Sequence, residues 1–219
     1  MAKKIYLSPS NQTENKYAYG NTTEAVQCRK IADACEVALK RCGFDVKNNK
    51  TDDMYAKVKE SDKWGADLHV PIHTNAYNKK VTGTRIFCWD SKGEGYKASK
   101  AVYNVLAPLT PGTSENVRVN DELYEVRYSD APCVYIEVDF HDVADIAKWI
   151  IENVEAIGET IAKGICNHFG VKFVEKPEPE PDVLYKVQVG AYAKKANAEK
   201  MREKLEKAGF TGFIVAVEK

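Results

Sequence analysis

The chain has 219 residues, enough for one large domain or a medium domain with a small one beside it. Its 32 Lys and Arg balance 32 Asp and Glu, so the formal net charge is zero and nothing favours nucleic acid or an anionic membrane as partner. No stretch approaches the roughly 20 apolar residues of a membrane span, so a soluble protein is expected, with neutral glycan or peptide as fitting targets.

In chain order, Met-Ala-Lys-Lys-Ile-Tyr-Leu has a basic start but enters a strand-like run at 5–8, without the apolar core of a signal peptide. The run ends in Ser8-Pro9-Ser10-Asn11-Gln12. Gly20-Asn21-Thr22-Thr23-Glu24 then opens a helix over 23–42. Asn21, Thr22 or Thr23 can cap it, and Glu24 falls in its first turn, where a capping acid is favourable in any case. Along this helix Cys28, Cys35 and Cys42 recur every seven residues. Neighbours in that series stand ~10 Å apart, too far for a disulfide. With Ile31, Ala34, Ala38 and Leu39 they make an apolar stripe of reduced, buried thiols, which suggests folding in a cytosol.

A strand over 67–72 leads into Pro71-Ile72-His73-Thr74-Asn75-Ala76. His73 therefore lies at a strand end, where α/β folds place their sites, though a plain loop histidine fits the same position. A strand over 84–89 and a helix over 95–106 follow. The segment Ala131-Pro132-Cys133-Val134-Tyr135-Ile136-Glu137-Val138-Asp139-Phe140-His141 reads as a central strand over 133–138. A carboxylate there is costly without a cation or a functional partner, which favours function for Glu137. The last helix of this part covers 144–169. Alternating strands and helices predict an α/β fold with a mixed, largely parallel sheet and helices on both faces.

Glu175-Lys176-Pro177-Glu178-Pro179-Glu180-Pro181-Asp182 is a spacer, because alternating prolines block helix and sheet while the acids keep it solvated. The expected organisation is a domain over 1–173, a linker over 174–183 and a small unit over 184–219. That unit reads as one βαβ: a period-two run, Tyr185-Lys-Val-Gln-Val-Gly-Ala-Tyr192, a helix over 196–208 stopped by Gly209, and a run over 213–217. Lys and Glu interleave along its helix, as on a solvated face.

Taken in order, Ser8-Pro9-Ser10-Asn11, Gly20 to Glu24, Pro71-Ile72-His73-Thr74-Asn75 and Ile136-Glu137-Val138-Asp139-Phe140 resemble the motifs of zinc N-acetylmuramoyl-L-alanine amidases over residues 4 to 170. The resemblance implies hydrolysis of the amide between the lactyl group of N-acetylmuramic acid and the L-alanine of the stem peptide. It implies zinc, with Glu24 and His73 as ligands and Glu137 as the acid/base. Three protein ligands leave a position where water is acidified enough to attack an amide. The family's first histidine aligns with Asn11, and no histidine occurs before His69. An amide oxygen from Gln12 or Asn11 must stand in, and the longer Gln12, found in a Ser-Pro-Ser-x-Gln segment of some clostridial and phage relatives, is the expected ligand. His69 lies ~13 Å from His73 by strand rise, too far to share the ion, and is expected on the wall of the site or behind it. Asn75 and His141 are expected to contact substrate, although His141 could equally lie beneath a loop.

The tail string Val-Gln-Val-Gly-Ala-Tyr resembles the opening half of a SPOR repeat, which implies binding to peptidoglycan glycan strands. With half a repeat per chain, a second copy completing the sheet, and hence a homodimer, is expected. Together these features imply an enzyme made in the cytoplasm that reaches the wall after release, as a phage endolysin or an autolysin does. The alternative is a metal-free wall-binding protein on the amidase fold.

Overall fold

The computed structural model describes residues 2–177 and 185–217. Two of its strands, β3 (Leu68–Asn75) and β6 (Tyr135–Phe140), lie side by side in parallel and sort their residues by parity. Leu68, Val70, Ile72, Ile136 and Val138 point into the main hydrophobic core. Successive strand residues face opposite sides, so His69, His73, Tyr135, Glu137 and Asp139 share the other face. One face folds the domain and the other gathers its polar groups.

The remaining strands are β1 (Lys4–Pro9), β2 (Asp45–Asn48), β4 (Arg85–Cys88) and β5 (Arg118–Val119), and the sheet order is β2-β1-β3-β6-β4-β5. β2, β1, β3 and β6 are mutually parallel, while β4 runs antiparallel to β6 and carries β5 parallel to itself. This is the mixed, largely parallel sheet expected from the sequence.

On the core face lie α1 (Glu24–Arg41), α3 (Glu94–Leu106) and α6 (Val154–Phe169), with α6 packed against both of the others. Cys28, Ile31, Cys35, Ala38 and Leu39 of the expected stripe are wholly buried, whereas Ala34 and Cys42, the latter just past the end of α1, are half-buried; all six cysteines are free thiols. Gly158 permits the close crossing of α1 and α6: a Cβ there would stand 2.6 Å from the Ala34 Cβ and 2.7 Å from the Cys35 nitrogen. The single helix expected over 144–169 is instead α5 (Ala144–Glu152) and α6. Asn153 separates them by donating its side-chain amide to the Trp149 carbonyl at 2.8 Å, satisfying an end the helix leaves open.

The opposite face is covered by α2 (Met54–Trp64) and α4 (Tyr124–Tyr128). Glu60 of α2 accepts from the Tyr6 hydroxyl at 2.8 Å, and Ser61 of α2 meets His69 Nδ1 at 3.0 Å. α2 starts at Asp53, whose carboxylate accepts from the Ala56 N–H at 3.0 Å, and ends at Gly65 in the left-handed region.

The chain divides into two units between Lys176 and Pro177. Most of the expected linker, 178–183, lies outside the described residues. Within the second unit α7 (Lys195–Lys207) forms, while among the described residues the expected strands at 185–192 and 213–217 are unpaired chain. The physical reason is the lack of neighbours: two short strands in a single chain bury too little to hold a sheet. Tyr185, Val187, Phe213 and Val217 are left largely exposed.

Candidate functional site

β3 and β6 bring His73 and Glu137 into direct register. The loop after β1 returns through Gly20 and Asn21, both in the left-handed region, and places Glu24 at the start of α1. Thr23 is the N-cap residue but its side chain makes no capping bond, and the Glu24 carboxylate does not serve the helix end. Glu24 Oε1 instead lies 2.8 Å from His73 Nδ1, with Glu24 1% and His73 6% exposed. The carboxylate's other oxygen accepts from Asn15 Nδ2 at 3.0 Å. Burial opposes the charge on Glu24, yet the bonds from His73 and Asn15 outweigh it and lower its pKa.

Glu125, on the short helix α4, was not foreseen as part of the site. It is buried, accepts from the Ser8 hydroxyl, and lies 3.1 Å from His69 Nε2 and 3.9 Å from His73 Nε2. Burial raises its pKa, but the two histidines overcome this and hold it at about 2. His69 thus stands behind His73 and communicates with it through a carboxylate; its ring stacks on Tyr6 at 5.3 Å. His73 is itself stacked on Tyr135 at 4.7 Å. Burial lowers the His73 pKa, but Glu125, Glu24 and Glu137 together lift it to about 9.

Glu137 faces these groups with one carboxylate oxygen, Oε2, buried and without a hydrogen-bond partner. Burial, aided by the charge of Glu24, pushes its carboxyl up to about 8. On the far side it is in register with Arg85, which is engaged by Glu115 at 2.9 Å and lies 4.5 Å over the Phe140 ring.

Of the two amides expected to replace the missing histidine, Asn11 is turned aside, its Nδ2 donating to the Asp52 carbonyl at 2.6 Å. Gln12 points toward the site: its Oε1 accepts from the same Asn15 amide that donates to Glu24. Among the described residues no group of three or more His, Cys, Asp or Glu is arranged to hold a metal ion. Two donors are nonetheless placed suitably, since neighbouring ligands of a tetrahedral zinc stand about 3.3 Å apart and Glu24 Oε1 and His73 Nδ1 are 2.8 Å apart. Three carboxylates around one imidazole also leave a surplus of negative charge, which a cation offsets. The donor set therefore fits zinc if an amide oxygen supplies the third protein ligand.

The two expected substrate contacts are placed differently. Asn75 is half-buried at the end of β3, with Oδ1 accepting from the Ala76 N–H at 2.8 Å. His141 is 2% exposed, its Nδ1 2.9 Å from the Thr74 hydroxyl, and its ring stacked flat on Tyr17 at 4.8 Å. Tyr17 lies flat against the imidazole, an arrangement that suits the packing beneath a loop left open from the sequence.

The sequence profile of the N-acetylmuramoyl-L-alanine amidase family matches residues 5–167, three quarters of the chain, and the chain belongs to that family. The SPOR domain profile matches residues 181–219. Among curated relatives, an uncharacterised protein of Clostridium perfringens is 29% identical over 196 residues, covering 83% of this chain and 56% of its own length. A sporulation-specific N-acetylmuramoyl-L-alanine amidase of Bacillus subtilis is 23% identical over 219 residues, covering 97% of this chain and 84% of its own length. The chain thus spans just over half of the clostridial relative. Among solved structures, the catalytic domain of the amidase CwlV from Paenibacillus polymyxa superposes with a TM-score of 0.71 at 19% identity, over 78% of this chain and 99% of that one. The amidase AmiC2 of Nostoc punctiforme gives 0.69 at 18%, over 77% and 97%. At these identities the structural likeness establishes the fold.

Proposed function

We propose that the chain is a zinc-dependent N-acetylmuramoyl-L-alanine amidase that cuts the lactyl amide of peptidoglycan. The observation carrying this reading is the juxtaposition of His73 and Glu24, 2.8 Å apart, with Glu137 in register beside His73 and its Oε2 unpartnered. Glu24, His73 and Gln12 would hold the zinc. When bound, zinc polarises the scissile carbonyl and acidifies water. Positive charge at the Glu24 and His73 donors favours the ionised form of Glu137, offsetting the burial that otherwise keeps it protonated. Glu137 then takes a proton from the attacking water and delivers it to the leaving amine of L-alanine. Glu125 keeps His73 turned with Nδ1 toward Glu24, as an outer carboxylate does for a ligating histidine.

The tail is assigned to the glycan strand, with a second copy supplying the neighbours its strands lack, and the enzyme is assigned to the cell wall after release from the cytoplasm. Turbidity of purified walls, followed with and without chelator and with product analysis, tests the activity. Chelator-sensitive clearing with new L-alanine amino termini supports it. A chain that binds walls, contains no zinc and releases no amine is instead the non-catalytic binding protein.

A further inference from the structure

Two thiols from distant parts of the sequence stand side by side where α1 and α6 end. The helices run in the same direction and approach closely where Gly158 meets Ala34 and Cys35. About two turns further along each stand Cys42, at the C-cap of α1, and Cys166, about one turn before α6 stops at Gly170. The chain beyond α6 then folds back over this spot. The Val171 N–H donates to the Cys166 carbonyl at 2.9 Å, and the Val174 N–H donates to Cys42 Sγ at 3.3 Å. Arg41, beside Cys42, donates from Nε to the Val174 carbonyl at 2.8 Å and is paired with Glu159 of α6. The two helix ends are thereby held together around the sulfurs.

The two thiols differ in access. Cys166 is wholly buried, and burial together with the neighbouring Cys42 thiol pushes its pKa up to about 12. Cys42 is half-buried and partly open to solvent, whereas Cys28, Cys35, Cys88 and Cys133 are buried like Cys166. Cys35 is also close to Cys166, but it is enclosed at the Gly158 crossing. Cys42 is thus the thiol that a dissolved reagent reaches, with a second thiol behind it. An accessible cysteine poised next to a resolving one is the arrangement that thiol–disulfide exchange requires.

We propose that Cys42 and Cys166 are a cross-linking site, forming an intramolecular disulfide when the chain meets a low-molecular-weight disulfide. The Cys42 sulfur, as thiolate, attacks one sulfur of that molecule, giving a mixed disulfide and releasing one small thiol. Cys166 then gives up its proton and attacks the Cys42 sulfur, which expels the second small thiol. Two protein thiols are oxidised, one small disulfide is reduced, and both protons leave on the released thiols. The bond ties α1 to α6 and closes a loop that contains His73, Glu125 and Glu137, a long loop of the kind whose closure most restricts an unfolded chain. The cross-link stands apart from the amidase reading and holds whether or not the chain cuts peptidoglycan.

The test uses the full chain, fully reduced and then held in native buffer with oxidised glutathione. Remaining thiols are blocked and the protein is mapped as peptides without reduction. The expected result is a joined pair of peptides carrying Cys42 and Cys166, released by dithiothreitol. The urea midpoint of the oxidised chain should exceed that of the reduced chain by roughly 1 M. Cys42→Ser should form no such bond, and Cys166→Ala should keep glutathione on Cys42, since nothing resolves the mixed disulfide. A lasting glutathione adduct on wild-type Cys42, a bridge to another cysteine, thiols that stay free, or a bridge that leaves the midpoint unchanged would each overturn the proposal. Should either variant fail to fold, the wild-type map and midpoint decide.

Discussion

His73 Nε2 stands 3.9 Å from Glu125 Oε2 while its Nδ1 meets Glu24 at 2.8 Å, so one imidazole is held between two carboxylates from opposite ends of the domain sequence. Glu125 also carries His69 and Ser8, and removing it leaves a buried histidine and hydroxyl without their shared acceptor. Glu125→Ala is expected to cost about 3–5 kcal/mol of stability, the range for breaking one side of a buried pair. Glu125→Gln, which keeps an acceptor oxygen, should cost less. Urea midpoints of the two variants check the order, and equal losses would count against the pairing.

Glu137→Gln should leave the fold intact, since the carboxylate oxygen Oε2 makes no hydrogen bond that the substitution could break. Loss of a general base typically removes about 10²–10⁴ in rate. Wall-clearing rates alongside thermal scans test this, and a variant that still clears walls at the wild-type rate would remove Glu137 from the chemistry.

Gln12 and Glu24 share the Asn15 amide, and in the function proposed above Gln12 is the third donor for the metal. Zinc retained per chain after dialysis should drop in Gln12→Ala and rise in Gln12→His, because imidazole is a stronger zinc ligand than an amide oxygen. Unchanged zinc in Gln12→Ala would exclude this residue from the ligand set.

Asp139 supplies a pH dependence of its own. Its Oδ1 accepts from the Gly83 N–H at 2.6 Å and the Phe140 N–H at 2.7 Å, while Oδ2 is buried without a partner. Burial outweighs those two bonds and pushes the carboxyl up to about 6. Between about pH 4 and pH 6 the folded chain binds more protons at this residue than the unfolded chain does, so stability falls as pH rises through that window. Asp139→Asn keeps the acceptor and removes the charge. Its melting temperature should match wild type near pH 4 and exceed it at pH 7, by an amount corresponding to about 3 kcal/mol at most. Identical curves at both pH values would contradict the burial argument.

The tail makes a prediction about association. Among the described residues, exposed Tyr185, Val187, Phe213 and Val217 lie in runs with no partner strand, and α7 buries none of its residues. A second chain would supply the missing neighbours, so sedimentation should show dimers at high concentration and monomers after removal of the run at 213–217. Monomers alone at high concentration would leave the half-repeat without its expected partner.

What the sequence made legible follows the strength of its periodic signals. β3 and β6 were readable because apolar runs ended in isolated polar residues, and those residues were His73 and Glu137. α1 was readable from its cysteine stripe. α2 was not, because its buried positions are Lys57, Val58 and Ser61, two of them polar. α4 has only five residues, too few to show a period, and Glu125 within it acquires its role from Ser8, 117 residues away. Contacts over such a separation leave no mark on local sequence. His141 was ambiguous for the same reason: its partner Tyr17 lies in a distant loop.

The division of β3 and β6 into a core-facing and a site-facing set of residues bears on how such a domain can diverge. The residues that hold the sheet to α1 and α6 are not the polar residues gathered on the other face, so a site-facing residue can be exchanged with little penalty to folding. Substitution on that face can then proceed on an unchanged scaffold, in keeping with solved structures that share the fold at 18–19% identity.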